Sequence, residues 1–275
     1  MPRHLWHRFR SWVPVVADTI FPARCYSCGR LFRRRPVAQS PAPDTEVPDG
    51  GLGAILDRFL CGTCRHLIQW IRSPLCTCCG RPFDAPHGVD HTCGDCWQNP
   101  GVFDRARAAA AYLGAFKALV CAYKYQCRVE LAVPLSRILW QTLNRYWDLQ
   151  QIDCMIPVPL HSRRLRQRGF NQAELMIRAW PVASRYLDRH PKPPVLWVDN
   201  LVRLRHTPPQ IGLDPGQRVA NMIDAFQLAD PAAVRGSRVL LVDDVLTTGA
   251  TVNACTRVLH RAKAASVEVL TLARA

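Results

Sequence analysis

The stretch VLLVDDVLTTGAT (239–251) sets four apolar residues before two adjacent carboxylates, then adds threonines and one glycine. An apolar run of this kind suits a buried strand. If a helix follows the turn, its first amides are free and carry the positive end of the helix dipole. Thr247, Thr248, Gly249, Ala250 and Thr251 then form a cradle for a phosphate monoester. Gly249 lets the backbone come close to that group. Asp243 and Asp244 would repel a phosphate they faced, but they can accept hydrogen bonds from vicinal hydroxyls further along the same ligand. Ribose 5-phosphate meets both demands. A strand–turn–helix with no ligand is the plain alternative. A response-regulator strand also ends in acids but lacks TTGAT, and a nucleotide P-loop needs a Gly-Lys-Thr that is absent here.

The second chemistry is in the cysteines. There are 13, and eight form CxxC pairs: Cys25/Cys28, Cys61/Cys64, Cys76/Cys79 and Cys93/Cys96. Two thiolates three residues apart can share one tetrahedral ion, and two such pairs close a four-thiolate site. The expectation is two structural zinc sites paired in sequence order. A crossed pairing, first with third and second with fourth, is the alternative. Thioredoxin-type redox chemistry would need a surrounding βαβ pattern that this region lacks. Gly29 and Gly80 follow two of the pairs, where a tight turn points amides at the sulfurs. Cys78 is a spare thiol; Cys121, Cys127, Cys154 and Cys255 read as ordinary buried residues.

These groups need elements to hold them. In a chain of 275 residues that is 48% hydrophobic, a large domain and a small one both fit. The expected division is an amphipathic helix over 1–22, a double zinc ribbon over 23–100, and an α/β domain over 101–275. The helix either docks on the body or lies on a membrane surface. A Pro-, Asp- and Arg-rich insertion at about 33–55 reads as disordered. After Cys96, a strand or hairpin at 103–114 and strands at 154–159, 195–202, 238–244 and 266–273 alternate with helices at 115–125, 129–147, 171–180 and 250–262. That alternation predicts a mostly parallel sheet with helices on both faces. Ligands of such sheets bind at the carboxyl ends of strands. Pro181 should end or kink its helix. No apolar run reaches the length of a membrane span, and the N-terminus reads as mature, not as a signal peptide.

The formal net charge is +15, and Lys117, Lys124, Lys192 and Lys263 are the only lysines. Such arginine excess makes a polyanionic partner reasonable without naming one. The aromatic-basic run LWHRFRSW (5–12) suits single-stranded nucleic acid, where phosphates meet cations and bases stack on rings. Lys124 reads as a solvated lysine, with a phosphate contact as the second reading.

Residues 239–251 resemble the binding motif of type I phosphoribosyltransferases, whose ligand is 5-phosphoribosyl 1-pyrophosphate (PRPP), usually with Mg²⁺. By that resemblance the loop within IPVPLHSRRLRQRGFNQAE (156–174) would bind pyrophosphate, with Arg163, Arg164 and Arg168 as its cations. Residues 205–226 would be a flexible catalytic loop, with Arg205, Thr207 and Gln210 as its polar side chains. The order of cysteine pairs, lysine-aromatic pair, basic loop and acid-acid-threonine turn is similar to the ComF family, which includes ComFC and GntX. The resemblance implies a bacterial cytoplasmic protein joining a double zinc ribbon to a type I phosphoribosyltransferase domain. It also implies PRPP as ligand and links to competence proteins, DNA uptake and single-stranded DNA. Family members often carry Gly-Asp shortly after the lysine-aromatic pair; here Gln126, Cys127 and Arg128 follow. An active transferase with an unnamed acceptor and a non-catalytic DNA-binding accessory both remain open.

Overall fold

The computed structural model describes residues 22–33, 51–85, 87–180, 194–205 and 225–275. The main sheet has five strands: β3 (Arg105–Ala111), β4 (Cys154–Pro157), β5 (Val195–Leu196), β8 (Arg238–Leu246) and β9 (Ser266–Arg274). Their order is β3-β9-β8-β4-β5, and every pairing is parallel. The expected α/β sheet is therefore observed. Two small antiparallel pairs stand apart from it, β1 (Ala23–Arg24) with β2 (Leu31–Phe32) and β6 (Leu201–Arg203) with β7 (Phe226–Leu228).

Strand β8 is the spine. Its side chains alternate between two cores, as period-two geometry requires. Leu240 and Val242 join the core shared with α3 (Gly114–Tyr125), α4 (Ala132–Tyr146) and α6 (Gln172–Arg178). Val239 and Leu241 join the core shared with α7 (Ala250–Arg261) and the β6–β7 pair. All four are buried, each contributing about 1.5–3 kcal/mol relative to exposure. Two-sided burial is why this segment is a continuous apolar run.

The cysteine region packs at the β3 edge. Its short helices are α1 (Gly62–His66) and α2 (Gly94–Gln98), each starting directly after a cysteine. Leu52 and Leu56 are buried in the α3–α4 core, so residues 51–55 belong to the body and not to a disordered insertion. Residues 34–50 lie outside the described residues, as do 1–21 and Pro181.

Two further expectations change. Residues 195–202 are not one strand: β5 ends at Leu196, and a turn at Asn200 starts β6 in a different sheet. Asn200 Oδ1 accepts from the Asp230 amide at 2.8 Å, which fixes that turn. Residues 162–168 are a helix, α5 (Ser162–Arg168), and not an open loop. His161 caps it by accepting from the Arg163 amide at 3.1 Å, and Gly169 ends it in the left-handed region at φ 80°.

Candidate functional site

The site lies where β8 meets α7. Gly249 sits at φ 78° as the N-cap of α7, and no side chain caps the helix. Beyond one weak contact to the Ala250 amide, no side chain satisfies the first amides of α7, which a ligand can therefore meet. Thr247 and Thr248 are exposed, while Ala250 and Thr251 are half-buried. Thr248 Oγ1 accepts from the Ala250 amide at 3.4 Å, a weak turn contact. A side chain at Gly249 would meet Asn253 at 3.5 Å and Phe103 at 3.8 Å. Both are residues that spacing alone did not single out. Asn253 Oδ1 accepts from the Val102 amide at 3.0 Å, and His260 donates to the Val102 carbonyl at 3.2 Å. The segment leaving the cysteine region thus braces the turn from below.

The two acids follow strand parity. Asp243 lies on the α7 side, near Cys255 and Arg203. Asp244 lies on the α3 side, 2.7 Å from the Lys124 ammonium. Lys124 and Asp244 side chains are only 12% and 10% exposed, so the expected solvated lysine is instead a buried ion pair. Burial alone would pull the Lys124 pKa down, but the charge and hydrogen bond of Asp244 hold it above its ordinary value. Asp243 accepts from the Asp244 amide at 2.8 Å. Burial, reinforced by the Asp244 charge, pushes the Asp243 carboxyl up to about 7, with Lys124 opposing. Lys124 pairs with one Asp244 oxygen, and the Asp243 carboxyl lies within hydrogen-bond reach of the Asp244 side chain.

The basic segment is only partly gathered toward the site. Arg164 is half-buried and close enough to Arg203 to lower its pKa, after burial has done so first. Arg168 lies over the Tyr125 ring at 4.9 Å and donates to Gln172 Oε1 at 2.8 Å. Arg163 is exposed. Asn171 steadies the segment, donating to the Val158 carbonyl at 3.1 Å and capping α6. Arg205 is exposed beyond β6, whereas Thr207 and Gln210 lie outside the described residues.

The cysteines form two clusters in sequence order, Cys25/Cys28/Cys61/Cys64 and Cys76/Cys79/Cys93/Cys96, each with its sulfurs within 4.8 Å of one another. Cys28 and Cys61 sulfurs are 3.8 Å apart, and those of Cys79 and Cys93 are 3.9 Å apart. A tetrahedron with Zn–S bonds of about 2.3 Å has edges of about 3.8 Å, so both sets fit zinc. Amides already point at the sulfurs: Cys93 and Cys79 donate to Cys76 Sγ at 3.3 and 3.5 Å. Burial raises the Cys76 thiol, yet those amides bring it down to about 6, toward the thiolate a metal needs. Cys154 and Cys255 are buried as expected, but Cys121 is only half-buried and Cys127 is exposed. Cys127 holds φ 52°, a left-handed position that suits glycine.

A phosphoribosyl transferase domain family matches residues 206–275, and a double zinc ribbon domain family matches residues 53–97. The DNA utilization protein YhgH of Salmonella typhimurium is 34% identical over 224 residues, covering 78% of this chain and 90% of that protein. The chain belongs to the ComF family. Competence protein F of Haemophilus influenzae is 32% identical over 221 residues, with 78% and 90% covered. Competence protein ComFC of Bacillus subtilis is 27% identical over 225 residues, with 79% and 85% covered. Within this family the chain joins a double zinc ribbon to a phosphoribosyltransferase domain. The zinc-ribbon match takes in three cysteine pairs, and the folded chain adds Cys25 and Cys28 as the fourth. No helix among the described residues is long and apolar enough to cross a membrane.

Proposed function

We propose that the β8–α7 site binds PRPP with Mg²⁺ and that the protein is a phosphoribosyltransferase acting in the handling of incoming DNA. The single observation behind this is the uncapped α7 N-terminus at Gly249, next to the paired acids Asp243 and Asp244. The 5-phosphate takes the free amides and the hydroxyls of Thr247, Thr248 and Thr251, with Gly249 and Ala250 forming the floor. The ribose diol donates to Asp243 and Asp244. Mg²⁺ arrives on the pyrophosphate, whose oxygens are the hard donors it prefers. As the anomeric C–O bond breaks, the departing pyrophosphate needs cations nearby, and Arg164 is the best placed of the three arginines. Arg163 and Arg168 would have to turn toward it. Arg205, Thr207 and Gln210 would close over the reacting bond. A cytoplasmic setting fits this chemistry, because PRPP is made inside cells.

Calorimetric titration with PRPP and Mg²⁺ tests the reading. The double substitution Asp243→Asn with Asp244→Asn is expected to abolish binding while zinc content stays at two ions per chain. Equal affinity in the double variant would show that the ligand sits elsewhere.

A second reading is a single-stranded DNA accessory that uses the pocket only to sense its ligand. The formal charge of +15 and the relatives' names in DNA utilization and competence favour it. It predicts affinity for labelled single strands that weakens linearly on a logarithmic salt scale. Binding indifferent to salt would dismiss it.

A further inference from the structure

Two adjacent carboxylates at a strand end compete for one charge unless a cation shares their site. Lys124 is such a cation, and it comes from the last turn of α3, far in sequence from the acids. Its place is built. Phe116, Leu119, Val120 and Tyr123 bury the inner face of α3. Tyr123 donates to the Gln172 carbonyl at 3.1 Å, which ties α3 to α6. Arg168 covers Tyr125, the next residue. Asp244 is faced by Lys124, Tyr123 and Tyr112; Asp243 is faced by Cys255 of α7, Arg203 of β6 and the Asp244–Lys124 pair.

We infer that Lys124 is a positioning residue of the sugar site: by pairing with one oxygen of Asp244, next to Asp243 on the same strand end, it sets the charge that a sugar diol meets there. The inference rests on the pentose-phosphate reading above. A protonated Asp243 turns one oxygen into a donor and accepts sugar hydroxyls less well than the carboxylate does. Ligand binding therefore favours loss of that proton. Its midpoint is set by the balance between burial, which raises it to about 7, and Lys124, which restrains it. Removing the lysine strips Asp244 of its paired cation and leaves Arg203 as the cation facing Asp243. The midpoint should then climb by about 1–3 pH units, the usual effect of a close opposite charge.

The sign separates this titration from acid unfolding. Between the ordinary carboxylate range and about 7 the folded chain holds a proton on Asp243 that the unfolded chain does not. That group therefore stabilises the free protein more as pH falls through this window. Ligand affinity moves the other way, falling about tenfold per pH unit below the midpoint.

The test is calorimetry of ribose 5-phosphate on the full-length, zinc-loaded protein across a pH series spanning neutrality. Wild type is expected to show a midpoint near neutrality. Lys124→Met should move it upward and weaken neutral-pH affinity by about 10-fold or more. Lys124→Arg should keep the midpoint, at lower affinity from altered geometry. Asp243→Asn should flatten the profile. A wild-type midpoint in Lys124→Met overturns the inference. So does an unchanged pH step in Asp243→Asn. If Lys124→Met loses its zinc or its cooperative melt, the arginine variant decides, and a displaced midpoint there overturns the inference. Absence of ribose 5-phosphate binding by wild type at every pH would instead overturn the pentose-phosphate reading itself.

Discussion

The two cysteine clusters share a ligand set but are attached to the body in different ways. Cys25, Cys61 and Cys64 belong to the same apolar core as α3, α4 and the inner face of the sheet. Cys76, Cys79 and Cys93 form a small core of their own, packed with Cys78, Phe83 and Cys96. The second cluster is fastened to β3 by polar backbone contacts. The Ala106 amide donates to the Cys78 carbonyl at 2.7 Å, and buried Arg107 donates to the Thr77 carbonyl at 3.0 Å. A metal in the first cluster thus supports the domain's core, whereas a metal in the second supports a module fastened to its edge. The first cluster also touches the segment after Lys124, through Tyr26 and Glu130.

The largest effect should come from breaking each cluster in turn. Cys61→Ser with Cys64→Ser and Cys93→Ser with Cys96→Ser should each remove one zinc, read by metal analysis. Structural zinc contributes about 10–16 kcal/mol in small domains, comparable to the whole stability of a domain. The first pair should abolish the cooperative melt of the body, because its ligands are core residues. The second should lose ribbon structure yet keep a cooperative transition and the β8–α7 site. Equal damage from both would show that the difference in packing has no energetic meaning.

A sharper contrast lies in two glycines at equivalent places. Gly29 and Gly80 follow Cys28 and Cys79, at φ 71° and 68°. A Cβ on Gly29 meets nothing within 4 Å, whereas one on Gly80 would sit 2.5 Å from the Ala106 carbonyl oxygen. Gly29→Ala should therefore cost only the left-handed penalty of about 1–2 kcal/mol. Gly80→Ala adds a clash with backbone that cannot swing aside, for a total of about 3 kcal/mol or more. Denaturant melts of the two variants should differ accordingly. Equal losses would mean that the second ribbon does not press on β3.

Legibility divided along the same physical line. The CxxC spacing and the acid-acid-threonine turn are local patterns, so their geometry is set within a few residues, and the chain folds as they suggest. Burial of β8 on both faces was legible in its unbroken apolar run. Long-range facts were not. The Lys124–Asp244 pair joins an early helix to a late strand, and no periodicity encodes that meeting. Strand parity in VLLVDD does predict that Asp243 and Asp244 leave the strand on opposite sides. The break at Asn200 stayed hidden because apolar residues flank it on both sides, and only the Asp230 contact shows the turn. Leu52 and Leu56 were masked by the polar insertion ahead of them. The helix over 162–168 is not legible because its sequence is a basic run whose cap is a histidine, outside the usual capping set.

The smallest effect concerns the seam between the first cluster and the body. Tyr26 donates to Glu130 Oε1 at 2.8 Å, and its ring meets Phe59 edge-on at 6.0 Å. Tyr26→Phe keeps the ring and removes the bond, which at this exposed place should cost about 0.5–1 kcal/mol. Its pH signature is more telling than its size. A backbone bond first, then Tyr26, hold Glu130 below the usual carboxylate range. A depressed acid stabilises above its unfolded pKa, and that stability disappears as pH falls through its folded value. Tyr26→Phe should therefore melt below wild type at neutral pH and converge with it in acid, where Glu130 is protonated in both. A gap that persists undiminished into acid would assign the loss to ring packing, and the hydrogen bond would no longer explain how the first ribbon is held against the segment that follows α3.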